Sequence, residues 1–275
     1  MFIALIVELV NPYKNLSKPK KPMVGEDMQP LVEALQKFTS PADCLITDNP
    51  CLALVSDRMP PPWLSGVSYA RFQSGSLDTQ DMIDLTETHN CQVMAPTLDR
   101  IKNANRPYYD WAKQNYLWVW LVDEREIMIG KPLLNAEPAI PEPAIPVQAN
   151  FSGQVELLGA DWYPGDDAGH LSLYWRTLQP FEQNYKIFAQ LRNSEGQVVA
   201  AADHEAYDGL IPTKRWPLNK IFKDTIRVDL PPGLPAGNYA FYVGFYDPAT
   251  IERLPVNRDT SGENAVIINQ VEIRK

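Results

Sequence analysis

The spacing of apolar residues changes character along the chain. Met28, Leu31, Val32, Leu35 and Phe38 recur at helical intervals, with Pro30 in the first turn and Glu33 four residues before Lys37. A short apolar run at Cys44–Asp48 follows, then a helical stretch over Thr79–His89 and a second apolar run at Cys91–Ala95. Pro107–Asn115 reads as a further helix opened by proline. Trp118–Val122 and Glu126–Ile129 read as a hairpin around Asp123, Glu124 and Arg125. Strands alternating with helices predict a small sheet, helix-covered and partly parallel.

In the second half the period becomes two. Leu171, Leu173 and Trp175 alternate with Ser172, Tyr174 and Arg176, and Tyr185, Ile187, Ala189 and Leu191 continue the pattern. Ile226, Val228 and Leu230 follow, then Tyr239, Phe241, Val243 and Phe245, and finally Val266, Ile268, Val271 and Ile273. Turns rich in Pro, Gly and Asn separate these runs, which predicts an antiparallel β-sandwich. The expected fold class is therefore α/β plus all-β, in that order.

Between the two patterns, residues 137–146 repeat Glu-Pro-Ala-Ile-Pro twice. Proline this dense favours an extended, semi-rigid spacer. The expected organisation is an N-terminal arm or membrane-helix stub (1–22), an α/β domain (23–134), a Pro-rich linker (135–148) and a β-sandwich (149–275). Separate cores are expected on either side of the linker, so that protease nicking there leaves both halves folded. The first ten residues are apolar but include Glu8, and Lys14, Lys18, Lys20 and Lys21 come after them. A signal peptide carries its charge before the apolar run, not after it.

Charge and cysteine content narrow the function. With 25 basic and 34 acidic residues in 275, the net charge is −9, which argues against nucleic acid held by a basic surface. No run reaches the ~18 apolar residues of a membrane helix. Cys44, Cys51 and Cys91 are odd in number and form no CxxC pair. Buried free thiols are the favoured reading, with a Cys44–Cys51 or Cys51–Cys91 bridge left open. His89, His170 and His204 have no metal-ligand partner at useful spacing, and no nucleophile elbow, phosphate loop or HExxH is present. No catalytic residue, metal or cofactor is expected.

Two sets of residues have binding chemistry. Asp48, at the end of the first strand, is either a ligand-facing carboxylate or part of an Asx turn with Asn49 and Pro50. Asp57 and Arg58 either brace a loop or meet a phosphate or sugar. In the second half, Trp216 lies between Pro212 and Pro217, with Tyr207 and Asp208 just upstream. It is the aromatic best placed as a platform for a sugar ring, although large aromatics also dominate ordinary cores.

The residues Ile46-Thr47-Asp48-Asn49-Pro50, Ala53, Asp57-Arg58, Pro60-Pro61, Ser68 and Arg71 to Gly75, with Arg106-Pro107-Tyr108, Trp111 and Asn115-Tyr116, carry a family resemblance. They resemble the soluble tail of bacterial polytopic glycosyltransferases related to protein mannosyltransferases and the aminoarabinose transferase. In the second half, Leu173-Tyr174-Trp175-Arg176, Leu234-Pro235-Ala236-Gly237-Asn238-Tyr239 and Val243-Gly244-Phe245-Tyr246-Asp247-Pro248 resemble a β-sandwich module appended to such tails. The resemblance implies an extracytoplasmic, non-catalytic region that follows the last membrane helix and assists glycan or acceptor positioning. Its partner would be the membrane-embedded segment of the same polypeptide, together with a glycan or protein acceptor. The family's catalytic carboxylate lies between early membrane helices, so no catalytic residue carries over. Two alternatives remain: a free-standing two-domain carbohydrate- or protein-binding scaffold, and a stand-alone nucleotide-sugar transferase.

Overall fold

A computed structural model describes residues 28–122, 124–133, 143–257 and 259–273; the N-terminal arm lies outside them. The helical spacing after Met28 produces α1 (Gln29–Phe38), which buries Leu31, Val32, Leu35 and Phe38. β1 (Leu45–Thr47) leads into α2 (Pro50–Ser56), whose first N–H groups are capped by Asn49 Oδ1 at 3.2 and 3.4 Å. The chain continues through α3 (Tyr69–Gln73), α4 (Thr79–Thr88), β2 (Val93–Ala95), α5 (Arg100–Ala104) and α6 (Arg106–Asn115). The hairpin of β3 (Trp118–Val122) and β4 (Arg125–Ile129) closes this half. The sheet order is β1-β2-β4-β3, with β1 and β2 parallel and the other pairs antiparallel.

This sheet is helix-covered on both faces, and strand alternation assigns neighbouring residues to different cores. Ile46, Met94 and Met128 join a core with Met82 of α4 and with Tyr108, Tyr109 and Ala112 of α6. Leu45, Val93, Ala95, Ile127 and Ile129 point the other way, into a core shared with α1 and α2.

The second half is a sandwich of two four-stranded antiparallel sheets. β5 (Ile145–Phe151), β6 (Val155–Tyr163), β7 (Ala168–Thr177) and β10 (Ile221–Asp229) form one, in the order β10-β7-β6-β5. β8 (Lys186–Arg192), β9 (Val198–His204), β11 (Gly237–Tyr246) and β12 (Val266–Ile273) form the other, in the order β12-β11-β8-β9. The α/β-plus-sandwich class is thus observed.

Three expectations need correction. First, the boundary between cores does not follow the proline repeat. The α1 side of the mixed sheet is continuous with the sandwich interior, and one cluster joins Phe38 and Ile129 to Phe222 and Phe245. Phe38 meets Trp120 at 5.5 Å and Tyr207 at 5.4 Å between ring centres. Leu133 N–H donates to Ile221 O at 2.9 Å. At Gly130 the φ of +75° favours glycine, and a Cβ there would lie 2.4 Å from Ile211 Cδ1 of the other half, so the two halves approach closely at this point. The amphipathic α1 exposes a stripe too wide for its own small sheet, and the sandwich covers the remainder. Non-covalently paired fragments cut within 134–142 should unfold in one transition. Residues 28–133 and 143–273 expressed apart should each bind a hydrophobic dye, and two separately native fragments would refute the shared core.

Second, Ile145 and Pro146 of the second repeat already belong to β5. This is an edge strand, where proline's missing N–H costs no ladder bond. Third, Cys44 and Cys91 form a disulfide, leaving Cys51 free on α2. The register explains the pairing: the two cysteines flank the start of the parallel pair, in which Leu45 lies opposite Val93, and their Cα atoms are 4.6 Å apart. Sequence spacing alone does not show which strands are neighbours.

Candidate functional site

Most of the residues singled out in the sequence are engaged by partners within the fold. Asp48 is fully buried, and its carboxylate accepts N–H groups from Leu98 (2.9 Å), Arg100 (2.8 Å) and Ile101 (3.3 Å). It ties the end of β1 to the start of α5 and faces no open cleft. The local turn chemistry belongs to Asn49, the α2 cap. Asp57 closes α2 in the left-handed conformation, φ 53°. Arg58 is buried and spans two helix ends: Nε donates to Thr39 Oγ1 at 2.6 Å, and Nη2 to Thr39 O at 2.6 Å. Nη1 donates to the Ser56 and Asp57 carbonyls at 3.1 and 3.0 Å. Burial pulls its pKa down, against the opposing charges of Asp43 and Asp57. Arg58 thus spends its donors on the Thr39 hydroxyl and on carbonyls at the ends of α1 and α2.

Trp216 is 5% exposed, not a platform. Its Nε1 donates to Ile211 O at 3.1 Å, and its ring packs on Phe222 at 4.9 Å and on Trp175, Phe181 and Phe245 near 6 Å. It follows the one-turn 3₁₀ segment Thr213–Arg215, and its N–H donates to Thr213 O at 3.0 Å. Tyr207 is buried between the halves, against Phe38 and Phe222, and burial above all raises its pKa. Asp208 forms an ion pair with Lys37 of α1.

Tyr207 and Asp208 belong to a polar seam between the halves. His170 Nε2 lies 3.0 Å from Gln36 O, and Lys223 is paired with Asp43. Burial would raise the Asp43 pKa, but Lys223, with help from Ser40, holds it below the ordinary value. His204 Nε2 lies 2.9 Å from Asp224 Oδ1, and Asp224 Oδ2 is buried without a partner among the described residues. Burial opposes charge on His204; Asp224, with help from Asp208, outweighs it, and the net shift is upward. The folded state therefore binds this proton more tightly than the unfolded state. The resulting stability is fully present below about pH 6.5 and is lost as pH rises through the raised folded value. Wild type should exceed His204→Gln in urea midpoint by more at about pH 6 than at about pH 9. A gap independent of pH would show that His204 does not titrate as described.

Two clefts remain. One, about 340 Å³, lies between the halves and is bordered by Asp43, Lys223, Asp161, Tyr174 and Gln92. Tyr174 O–H and Ala144 N–H donate to Asp161 at 2.6 and 2.7 Å, whereas Gln92 Nε2 is buried without a partner among the described residues. The other, about 410 Å³, lies on the α/β half beside Trp63. Trp63 is 71% exposed, the most exposed large apolar side chain among the described residues. α4 lines the same cleft with Asp81, Asp84, Leu85 and Thr88, spaced i, i+3, i+4 and i+7 on one side of the helix. Sequence reasoning located α4 but did not bring its polar face together with Trp63. The available signal was the rigid Pro60-Pro61-Pro62 run directly before an aromatic, together with a polar helix face. Among the described residues no cluster of His, Cys, Asp or Glu suits a metal ion, and no helix is long and apolar enough to cross a membrane.

No protein-family model and no curated protein matches the chain.

Proposed function

We propose that this chain is the non-catalytic, extracytoplasmic region of a membrane glycosyltransferase that draws its sugar from a lipid phosphate, and that it positions the glycan or acceptor. The reading begins from the motif resemblance in both halves. It is supported by the order of the architecture, a small mixed sheet followed by an antiparallel sandwich. The observation that carries the location is the Cys44–Cys91 disulfide. Structural disulfides form in oxidising compartments and are rare where glutathione and thioredoxin keep thiols reduced. A rigid body of this kind, its halves locked by a shared core, suits holding a substrate at a fixed place above a membrane-embedded centre.

The test is topological. In spheroplasts of cells making the intact polypeptide, protease added outside should degrade this region, and non-reducing peptide mapping should recover Cys44 linked to Cys91. Protection from the protease, with both cysteines alkylated as free thiols, would place the region in the cytoplasm and end this reading. The exposed Trp63 cleft also suits a free-standing carbohydrate-binding protein, which differs in being made without a membrane segment.

A further inference from the structure

The Trp63 cleft has features that specify a ligand class. Trp63 sits in a one-turn 3₁₀ segment, Pro62–Leu64, and the loop around it is tied down. Leu64 N–H donates to Pro61 O at 2.8 Å, Ser65 Oγ–H to Pro62 O at 2.8 Å, and Arg71 Nη1–H to Trp63 O at 2.5 Å. A residue with its backbone held this firmly but its indole left in solvent presents a preorganised aromatic face, so little entropy is lost on binding. In the same cleft, Asp81 and Asp84 are acceptors and Thr88 is both donor and acceptor. One oxygen of each carboxylate is already engaged, by Asp78 N–H and by Gln80 Nε2–H, which fixes the carboxylates in place. Leu85 supplies an apolar floor. The volume falls within the ~300–1,000 Å³ of small-ligand sites.

An aromatic face in one cleft with two carboxylates matches a pyranose ring, which is apolar on its C–H faces and hydroxylated around its edge. The charge selects further. Arg71 contributes one positive charge against two negative ones, and its Nη1 is directed at the Trp63 and Gly66 carbonyls. An anionic ligand would meet net repulsion. We propose that this cleft binds an uncharged pyranose unit of a glycan, with the Trp63 indole stacking on the ring and Asp81, Asp84 and Thr88 taking its hydroxyls. The proposal rests on the glycan-positioning reading above and assigns the surface that does the positioning.

The experiment is a calorimetric and tryptophan-fluorescence titration of the full chain with maltotriose, cellotriose and mannotriose, and with tri-galacturonate as the anionic counterpart. At least one neutral trimer should bind, and tri-galacturonate should bind more weakly. Trp63→Ala should weaken the neutral trimer about five- to tenfold, Trp63→Phe should recover most of that, and Asp84→Asn should cost about threefold. Thermal melts of the variants should match wild type, since the indole is mostly in solvent. Binding of no neutral trimer, binding that survives Trp63→Ala, or preference for tri-galacturonate would each overturn the proposal. So would Trp63-dependent binding to phosphatidylglycerol vesicles without trimer binding, which would give this face to the bilayer. These failures leave the membrane-glycosyltransferase reading intact, because that reading is decided by topology and not by these titrations.

Discussion

Replacing Cys44 and Cys91 together by serine is expected to lower the unfolding free energy by about 4 kcal/mol, among the largest effects of any change in this chain. The bridge spans 47 residues, and in the chain-entropy account a loop of that length restricts the unfolded ensemble by about this amount. For a protein of this size the loss corresponds to a fall in melting temperature of roughly 8–16 °C. The effect is expected to be large because the bridge joins the starts of β1 and β2, the parallel pair shared by both cores of the mixed sheet. Strong reductant should reproduce most of the loss in wild type and almost none in the double variant. Cys51→Ser, at a half-buried helical position, should lie close to wild type. A double variant as stable as wild type, or peptide mapping that finds Cys51 in the bridge, would contradict the pairing.

Trp216→Ala should cost about 3–5 kcal/mol, the range for emptying a large aromatic from a packed interior. The ring lies among Trp175, Phe181, Phe222 and Phe245, so its removal opens a cavity that four rigid neighbours cannot fill by small shifts. It also leaves the buried Ile211 carbonyl without the indole N–H. Trp63→Ala, in contrast, should change stability by no more than about 0.5 kcal/mol. Equilibrium denaturation of the two variants side by side checks both. Equal effects would mean that the burial of these two tryptophans has been assigned wrongly.

The contrast between the two tryptophans shows what the sequence carries and what it does not. Periodicity located α1, α4, α6, the strands β1 and β2 and the β3–β4 hairpin, because each buries apolar residues in a spacing that the sequence records. It passed over α2, α3 and α5. These are five to seven residues long, too short for a helical period, and α2 is set by the Asn49 cap and Pro50. Strand alternation revealed the sandwich, but sequence does not say which sheet faces which helix. The merger of the α1 side with the sandwich through Phe38, Tyr207 and Ile211 was therefore invisible. The proline repeat suggested a boundary, yet packing is set by where apolar stripes remain uncovered.

The candidate residues follow the same logic. Composition shows that Trp216 is aromatic and lies between prolines, but not whether the loop folds inward. The Pro60-Pro61-Pro62 run before Trp63 has the same local signature, with the opposite outcome. Asp48 and Arg58 were legible as polar residues at element ends. Their partners, the Leu98–Ile101 amides and the Thr39 carbonyl, are distant in sequence and become adjacent only through β1–β2 pairing and the α1–α2 contact. Their chemistry is used up in closing those ends.

The measurement that tests the central claim most directly is determination of the residues encoded in frame ahead of Met1 in the native transcript, together with fractionation of the native product. The account predicts a polytopic, apolar segment leading into Met1–Val10 and recovery of the chain with membranes. A native start codon at Met1, with the product recovered in the soluble fraction, would contradict it.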